Sequence, residues 1–232
     1  RVAGAYHGVD PWCVHSPAGL IDEDREHIHT FAWNDLNSFR QLVKKHAGKI
    51  AGLVITPFHH PTFADAILPG NGFLQGLEQT CREEGIVLIL DDIRGGFRLH
   101  LGGSHRVFGF TPDVICFSKA LGNGYSISAA LGNAKLRIPA SRVFLTGSFW
   151  NSAVSMAAAL KTLEIAEREG VPARVQSLGA TLRQGLESLG RECGLAITGS
   201  GPEAVPTYRF AHETHFRQWQ RFCAYAMEGD GK

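Results

Sequence analysis

Three short, uninterrupted apolar runs constrain this chain more than any other feature: Ile50 to Ile55, Val87 to Leu90 and Val114 to Phe117. Each is too short for a buried helix and lacks the polar alternation of a strand with one wet face. Each therefore predicts a buried strand. Helical signals lie between them. Asn34-Asp35 can cap a helix running to about His46, with Leu36, Phe39, Leu42 and Val43 on one face and Gly48 beyond its end. Pro69-Gly70-Asn71-Gly72 reads as a turn, and Phe73 to Glu84 as an amphipathic helix ended by Gly85. Ser128 to Leu131 predicts a fourth strand. Such an alternation implies an α/β three-layer large domain with a mostly parallel sheet.

From Ser152 the pattern turns helical, with helices expected from Ala153 to about Arg168 and from Pro172 to about Cys193, separated at Gly170. Thr207 to Phe210 predicts a strand of a smaller α+β domain, followed by a helix around Phe216 to Met227. The expected division is a large domain over 1–168 and part of a C-terminal small domain over 169–232. The chain starts at Arg1 without an initiator Met. It is expected to be an internal fragment or a processed form of a longer protein.

The bulk numbers exclude some function classes. A hydrophobic content of 44% and a charged content of 19% are ordinary for a soluble globular protein. A formal net charge of +1 supplies no basic field for nucleic acid or an anionic membrane. No apolar run approaches bilayer length. Cys13, Cys81, Cys116, Cys193 and Cys223 are odd in number and none lie at a C-x-x-C spacing, so reduced thiols in a cytosolic protein are expected. His27 and His29 alternate and His59-His60 are adjacent, but no carboxylate or thiolate joins them at a ligand spacing, so no metal site is expected.

Ligands of open parallel sheets gather at the carboxyl ends of the strands. Asp91 and Lys119 each stand just past such an end, so they could face one crevice. A lysine amine attacks a carbonyl only when it can shed its proton, and burial at a strand end helps it do so. An aspartate that keeps a pyridinium nitrogen protonated would complete the chemistry of pyridoxal phosphate. Topology alone leaves open a surface lysine after a strand and an acidic pair capping a turn.

A series of motifs points further. Leu88 to Arg98, reading LILDDIRGGFR, resembles the strand and turn of class III aminotransferases, especially the glutamate-1-semialdehyde aminomutase branch. Gly109-Phe110-Thr111-Pro112-Asp113-Val114 and Phe117-Ser118-Lys119-Ala120-Leu121-Gly122-Asn123-Gly124-Tyr125 resemble the family's approach to its lysine and the loop that follows. Tyr6-His7-Gly8, Phe73 to Leu77, Gly147 to Trp150 and Met156 to Glu164 match in order as well. The resemblance implies pyridoxal-phosphate fold type I and a cofactor held by Lys119 through a Schiff base. It implies that Asp91 pairs with the ring nitrogen, that Tyr6 lies against the ring, and that His7 belongs to the cofactor site. Ser148 would reach the phosphate of a neighbouring subunit in a homodimer with shared sites. Asp92 would be a supporting residue.

Alternatives remain open for individual residues. Tyr6 could be a core aromatic, Ser148 could cap the next helix, and Thr146 could take the phosphate role. Arg94 and Arg98 flank a Gly-Gly turn and could bind a substrate carboxylate, but a structural or exposed arginine is the commoner outcome, and both are left outside the expected site. Three departures from the family stand out. The phosphate-binding turn lies upstream of Tyr-His-Gly in the family, and only five residues precede Tyr6, so this chain is expected to bind the phosphate poorly. Thr56-Pro57 replaces Glu-Pro and is followed by Phe58-His59-His60, and the C-terminal domain looks unfinished. The implied activity is amino transfer from a small-molecule amino donor to a carbonyl acceptor. An aminomutase, a racemase, a cofactor-free Schiff-base enzyme and a non-catalytic module are the alternatives.

Overall fold

A computed structural model describes residues 1–7, 21–61, 64–210 and 215–228; Gly8 and Cys13 lie outside them. Helix α1 (Leu36–Lys45) starts where Asp35 caps it, the Asp35 carboxylate accepting from the Ser38 N–H at 2.9 Å. Strand β1 (Gly52–Ile55), helix α2 (Phe73–Glu84) and strand β2 (Val87–Asp91) follow, α2 ending at Gly85 in the left-handed conformation. A short helix α3 (His105–Phe108) precedes strand β3 (Val114–Phe117), and strand β4 (Ala129–Gly132) completes the sheet. Its order is β1-β2-β3-β4, with the first three strands parallel and β4 antiparallel to β3.

The mostly parallel sheet is the one expected, but its two faces differ. Leu53, Ile55, Leu88 and Leu90 point to one side and are buried against Phe39 and Val43 of α1 and Leu74, Leu77 and Cys81 of α2. Val54 and Ile89, on the other side, are only half-buried, and β4 is largely exposed. Continuous apolar strands predict cover on both faces, and the described residues supply it fully on one.

Beyond β4 come the short helix α4 (Arg137–Ser141), then α5 (Ala153–Arg168) and α6 (Val171–Glu192). Strand β5 (Ile197–Ser200), which the sequence pattern does not announce, pairs antiparallel with β6 (Thr207–Phe210), and α7 (His215–Glu228) follows. This second sheet touches the first unit through the Ala66 N–H, which donates to Ser200 Oγ at 2.9 Å, and an Arg209–Asp65 ion pair at 3.4 Å.

One side chain ties the main sheet together at the end remote from Asp91. Asp113, just before β3, accepts from the Leu88 N–H at 2.9 Å through Oδ2 and from Asn133 Nδ2 at 2.6 Å through Oδ1. Its own N–H donates to the Leu88 carbonyl at 2.8 Å. The start of β2, the start of β3 and the end of β4 are thereby locked in register. Charge-assisted hydrogen bonds of this kind contribute about 1.5–3 kcal/mol each. Asp113→Ala is expected to lower unfolding stability by about 2–4 kcal/mol, read from denaturant titration of the full-length protein, whereas Asp113→Asn should retain part of it.

Candidate active site

The pairing of β2 with β3 sets Asp91 and Lys119 at neighbouring carboxyl ends of the sheet. In the ladder Asp91 lies opposite Cys116, and Lys119 follows three positions later. Asp91 Oδ2 accepts from His7 Nδ1 at 2.8 Å, and Oδ1 accepts from the Ile93 N–H at 3.2 Å. A carboxylate acceptor places the ring proton of His7 on Nδ1. The imidazole is only 3% exposed and its Nε2 has no partner among the described residues. Tyr6, next in the chain, is 50% exposed, so the plain core reading does not apply to it.

Lys119 opens a tight turn. Its φ of 43° is left-handed, a conformation that costs a non-glycine residue roughly 1–2 kcal/mol. The turn is closed by the Leu121 N–H donating to Ser118 O (3.0 Å), the Asn123 N–H to Lys119 O (3.1 Å) and Ser118 Oγ to Ile127 O (3.0 Å). Leu121 anchors it by packing with Phe117 and Ala159. Gly122 is required, because a Cβ there would meet the Tyr125 carbonyl oxygen at 2.2 Å. The expected burial of Lys119 is not found: it is exposed, since the face above β4 and the following segment carries no cover among the described residues. Ser148 and Thr146 stand on the same exposed segment, and among the described residues no hydrogen bond joins Ser148 to Tyr6, His7, Asp91 or Lys119.

Asp92 points away from Asp91 into the interior. It is 1% exposed, accepting from the Ser104 N–H at 2.7 Å through Oδ2 and from the Ser104 hydroxyl at 2.5 Å through Oδ1. Burial, assisted by the neighbouring Asp91 charge, outweighs these hydrogen bonds and pushes its carboxyl up to about 6. Its support of the site is thus mechanical: it clamps the turn after β2 onto the start of α3. The sequence offered no sign of Ser104 as its partner, nor of the Ile93 N–H as a donor to Asp91. His60 is buried with an unpartnered Nδ1. Burial and then the Arg94 charge push its imidazole down to about 4, so it is neutral near pH 7.

This donor set suits a flat heteroaromatic ring with a protonated nitrogen. Asp91 keeps accepting capacity after its two hydrogen bonds, Lys119 offers an amine, and Tyr6 presents an aromatic face. No cluster of three or more metal-ligating side chains occurs among the described residues. A cavity of about 600 Å³ lies elsewhere, beside β1, and shares only His7 with the site.

A family model described as aminotransferase class-III matches residues 19–200. The chain belongs to the class III aminotransferase family. Among its relatives, an aminopentol aminotransferase of Sphingopyxis macrogoltabida is 39% identical over 226 residues, 97% of this chain and 54% of the relative. A glutamate-1-semialdehyde 2,1-aminomutase of Citrifermentans bemidjiense is 32% identical over 212 residues, 85% of this chain and 49% of the relative. The solved FumI protein of Sphingopyxis sp. MTA144, in its PLP internal aldimine form, matches with a TM-score of 0.88 at 40% identity, covering 91% of this chain and 51% of that one. The class III chain therefore has the fold type I architecture expected of it, and it spans about half the length of the curated relatives it matches.

The Asp92 clamp makes stability depend on pH. The folded carboxyl titrates at about 6 against an ordinary 3.8, so its proton favours folding. That contribution is full below pH 3.8 and is lost as pH rises through about 6, where the buried charge costs about 3 kcal/mol. Asp92→Asn keeps the shape without the charge. Thermal unfolding should show the variant gaining on the parent between pH 4 and pH 8, with the largest gap at pH 8.

Proposed function

We propose that this chain carries part of a pyridoxal-phosphate-dependent aminotransferase, which moves an amino group from a small-molecule amino donor to a keto or aldehyde acceptor. The observation that carries this reading is the pairing of β2 with β3. It sets Asp91, already held by His7 and Ile93, beside the strand that runs directly into Lys119. The names of relatives and the solved FumI protein support the same cofactor.

Pyridoxal phosphate, when bound, supplies an electron-accepting ring. Asp91 would face the ring nitrogen and keep it protonated. His7 orients Asp91 through Nδ1 and fixes which carboxylate oxygen is turned outward. Tyr6 would cover one face of the ring. Lys119 Nζ would hold the cofactor and would serve as the base that takes the proton from the substrate α-carbon and as the acid that returns it.

Residues 1–168 form the cofactor-binding domain and 169–232 part of the small domain in this reading. The exposed stretch through Ile138, Val143, Phe144, Leu145, Phe149 and Trp150 supports a homodimer. Exposed aromatic side chains in such a run need cover in solution. A second subunit there would bury Ser148 near its neighbour's phosphate and shield Lys119 from water, which its chemistry requires. The 32% identity to an aminomutase keeps intramolecular amino transfer as the second reading.

The full-length protein, given pyridoxal phosphate, should develop a visible band that borohydride removes, with the reduced adduct mapping to Lys119. Lys119→Ala should abolish the band and lower amino transfer at least about a thousandfold. Asp91→Ala should also inactivate; an Asp91→Ala enzyme with undiminished turnover would instead mark a cofactor-free Schiff-base enzyme. Donor and acceptor panels separate transferase from mutase.

A further inference from the structure

Continued in a straight line, β3 would deliver Lys119 to the wrong side of the sheet. Side chains alternate along a strand, and residues paired in a parallel ladder point the same way. Asp91 pairs with Cys116, so these two share a face. Leu90 pairs with Ile115, and Ile115 and Phe117 lie on the opposite face, where Phe117 is buried. Two residues further on, the same alternation puts Lys119 with Ile115 and Phe117, facing away from Asp91. An amine that works beside Asp91 has to leave that pattern.

The backbone shows how it leaves. Strands β3 and β4 run antiparallel, with Ile115 opposite Leu131 and Phe117 opposite Ala129. Ahead of them the Asn133 N–H donates to the Asp113 carbonyl at 2.9 Å, so hydrogen-bonded pairs fall on every second residue from Asp113. The next such pair after Phe117 and Ala129 is Lys119 with Ile127, and a regular ladder would send the Lys119 N–H to the Ile127 carbonyl. Lys119 turns left-handed instead, with φ at 43°. Ser118 Oγ takes the vacated place, donating to the Ile127 carbonyl at 3.0 Å. A side-chain hydroxyl thus stands in for a ladder N–H. Ile127 keeps both its polar partner and its packing, against the cluster of Phe117 and Leu121 and within 2.7 Å of where a Cβ on Gly122 would lie.

We propose that Ser118 is a positioning residue: its hydroxyl replaces the Lys119 N–H on the Ile127 carbonyl and so releases Lys119 from the β3–β4 ladder. The inference rests on the reading of the site given under Proposed function, and adds a residue that acts through Lys119 without touching cofactor or substrate. Removing the hydroxyl leaves the Ile127 carbonyl to its ladder donor, the Lys119 N–H. Extending Lys119 to meet it adds a hydrogen bond and relieves a left-handed conformation, so both terms favour the change. The amine then follows the alternation to the side of Phe117. Threonine keeps an oxygen on the same carbon and preserves the device, whereas alanine removes it.

The test uses the full-length protein with Ser118→Ala and Ser118→Thr, first without cofactor and then loaded. In a crystal structure of the cofactor-free Ser118→Ala protein, Lys119 should leave the left-handed region and its N–H should reach the Ile127 carbonyl. In the loaded enzyme Ser118→Ala should lower kcat at least about tenfold and leave the KM of the amino donor within about twofold, since misplacing a reacting group by an ångström costs rate rather than binding. Its thermal midpoint should stay within about 4 °C of the parent, because only one hydrogen bond is exchanged for another. Ser118→Thr should keep Lys119 left-handed and retain at least about half of kcat. A Ser118→Ala protein in which Lys119 keeps its left-handed φ overturns the proposal. So does a kcat within about twofold of the parent, which is the result expected of a hydroxyl that merely stabilises the loop, and so does an equal loss in Ser118→Thr. An unsubstituted enzyme that develops no cofactor band overturns the underlying reading instead, and the Lys119 backbone in the cofactor-free variant still decides what Ser118 does.

Discussion

Register between β2 and β3 governs almost everything that this chain can do. The side chains that matter stand past the ends of neighbouring parallel strands, and a slip of one residue would turn Asp91 inward and Asp92 outward. Asp113 resists that slip from the far end of the sheet by holding both backbone groups of Leu88 while gripping Asn133 beyond β4. The buried Leu53, Ile55, Leu88 and Leu90 resist it through packing against α1 and α2. Position at the site is therefore set by interactions that never touch it.

The two adjacent carboxylates show how environment divides roles between like residues. Asp91 is partly open and its hydrogen bonds come from His7 and a backbone amide, which leave its outer side available. Asp92 is sealed with Ser104, and the protonated form is favoured up to about pH 6. One keeps its outer side open and the other fastens the turn that carries Ile93 and Arg94. His7 belongs with the first group, since a histidine behind an aspartate fixes its orientation much as an outer-shell partner fixes a metal ligand.

The exposed Lys119, Ser148 and the apolar stretch between 138 and 150 belong to one physical situation. A Schiff-base lysine needs a dry surrounding, and the described face above β4 does not provide it. The same face presents large apolar side chains to water. Both conditions are met if another protein surface closes over this side of the sheet, which is why the homodimer and the shared phosphate site form part of the functional reading.

Much of this was legible in the sequence because it depends on local pattern. Uninterrupted apolar runs marked β1, β2 and β3, and with them the strand ends at which Asp91 and Lys119 stand, and Gly85 marked the end of α2. Strand β5 was not legible, since Ile197 to Ser200 contains a glycine and only one large apolar residue and is defined by its pairing with β6. The partners of Asp91 and Asp92 were hidden for the same reason: His7 is 84 residues away from the first and Ser104 is 12 away from the second. Sequence pattern records which face of an element is apolar and where the chain must turn. Which polar atoms meet across those turns is settled only when the strands are packed side by side, because a hydrogen bond depends on ångström-scale placement that no periodicity encodes.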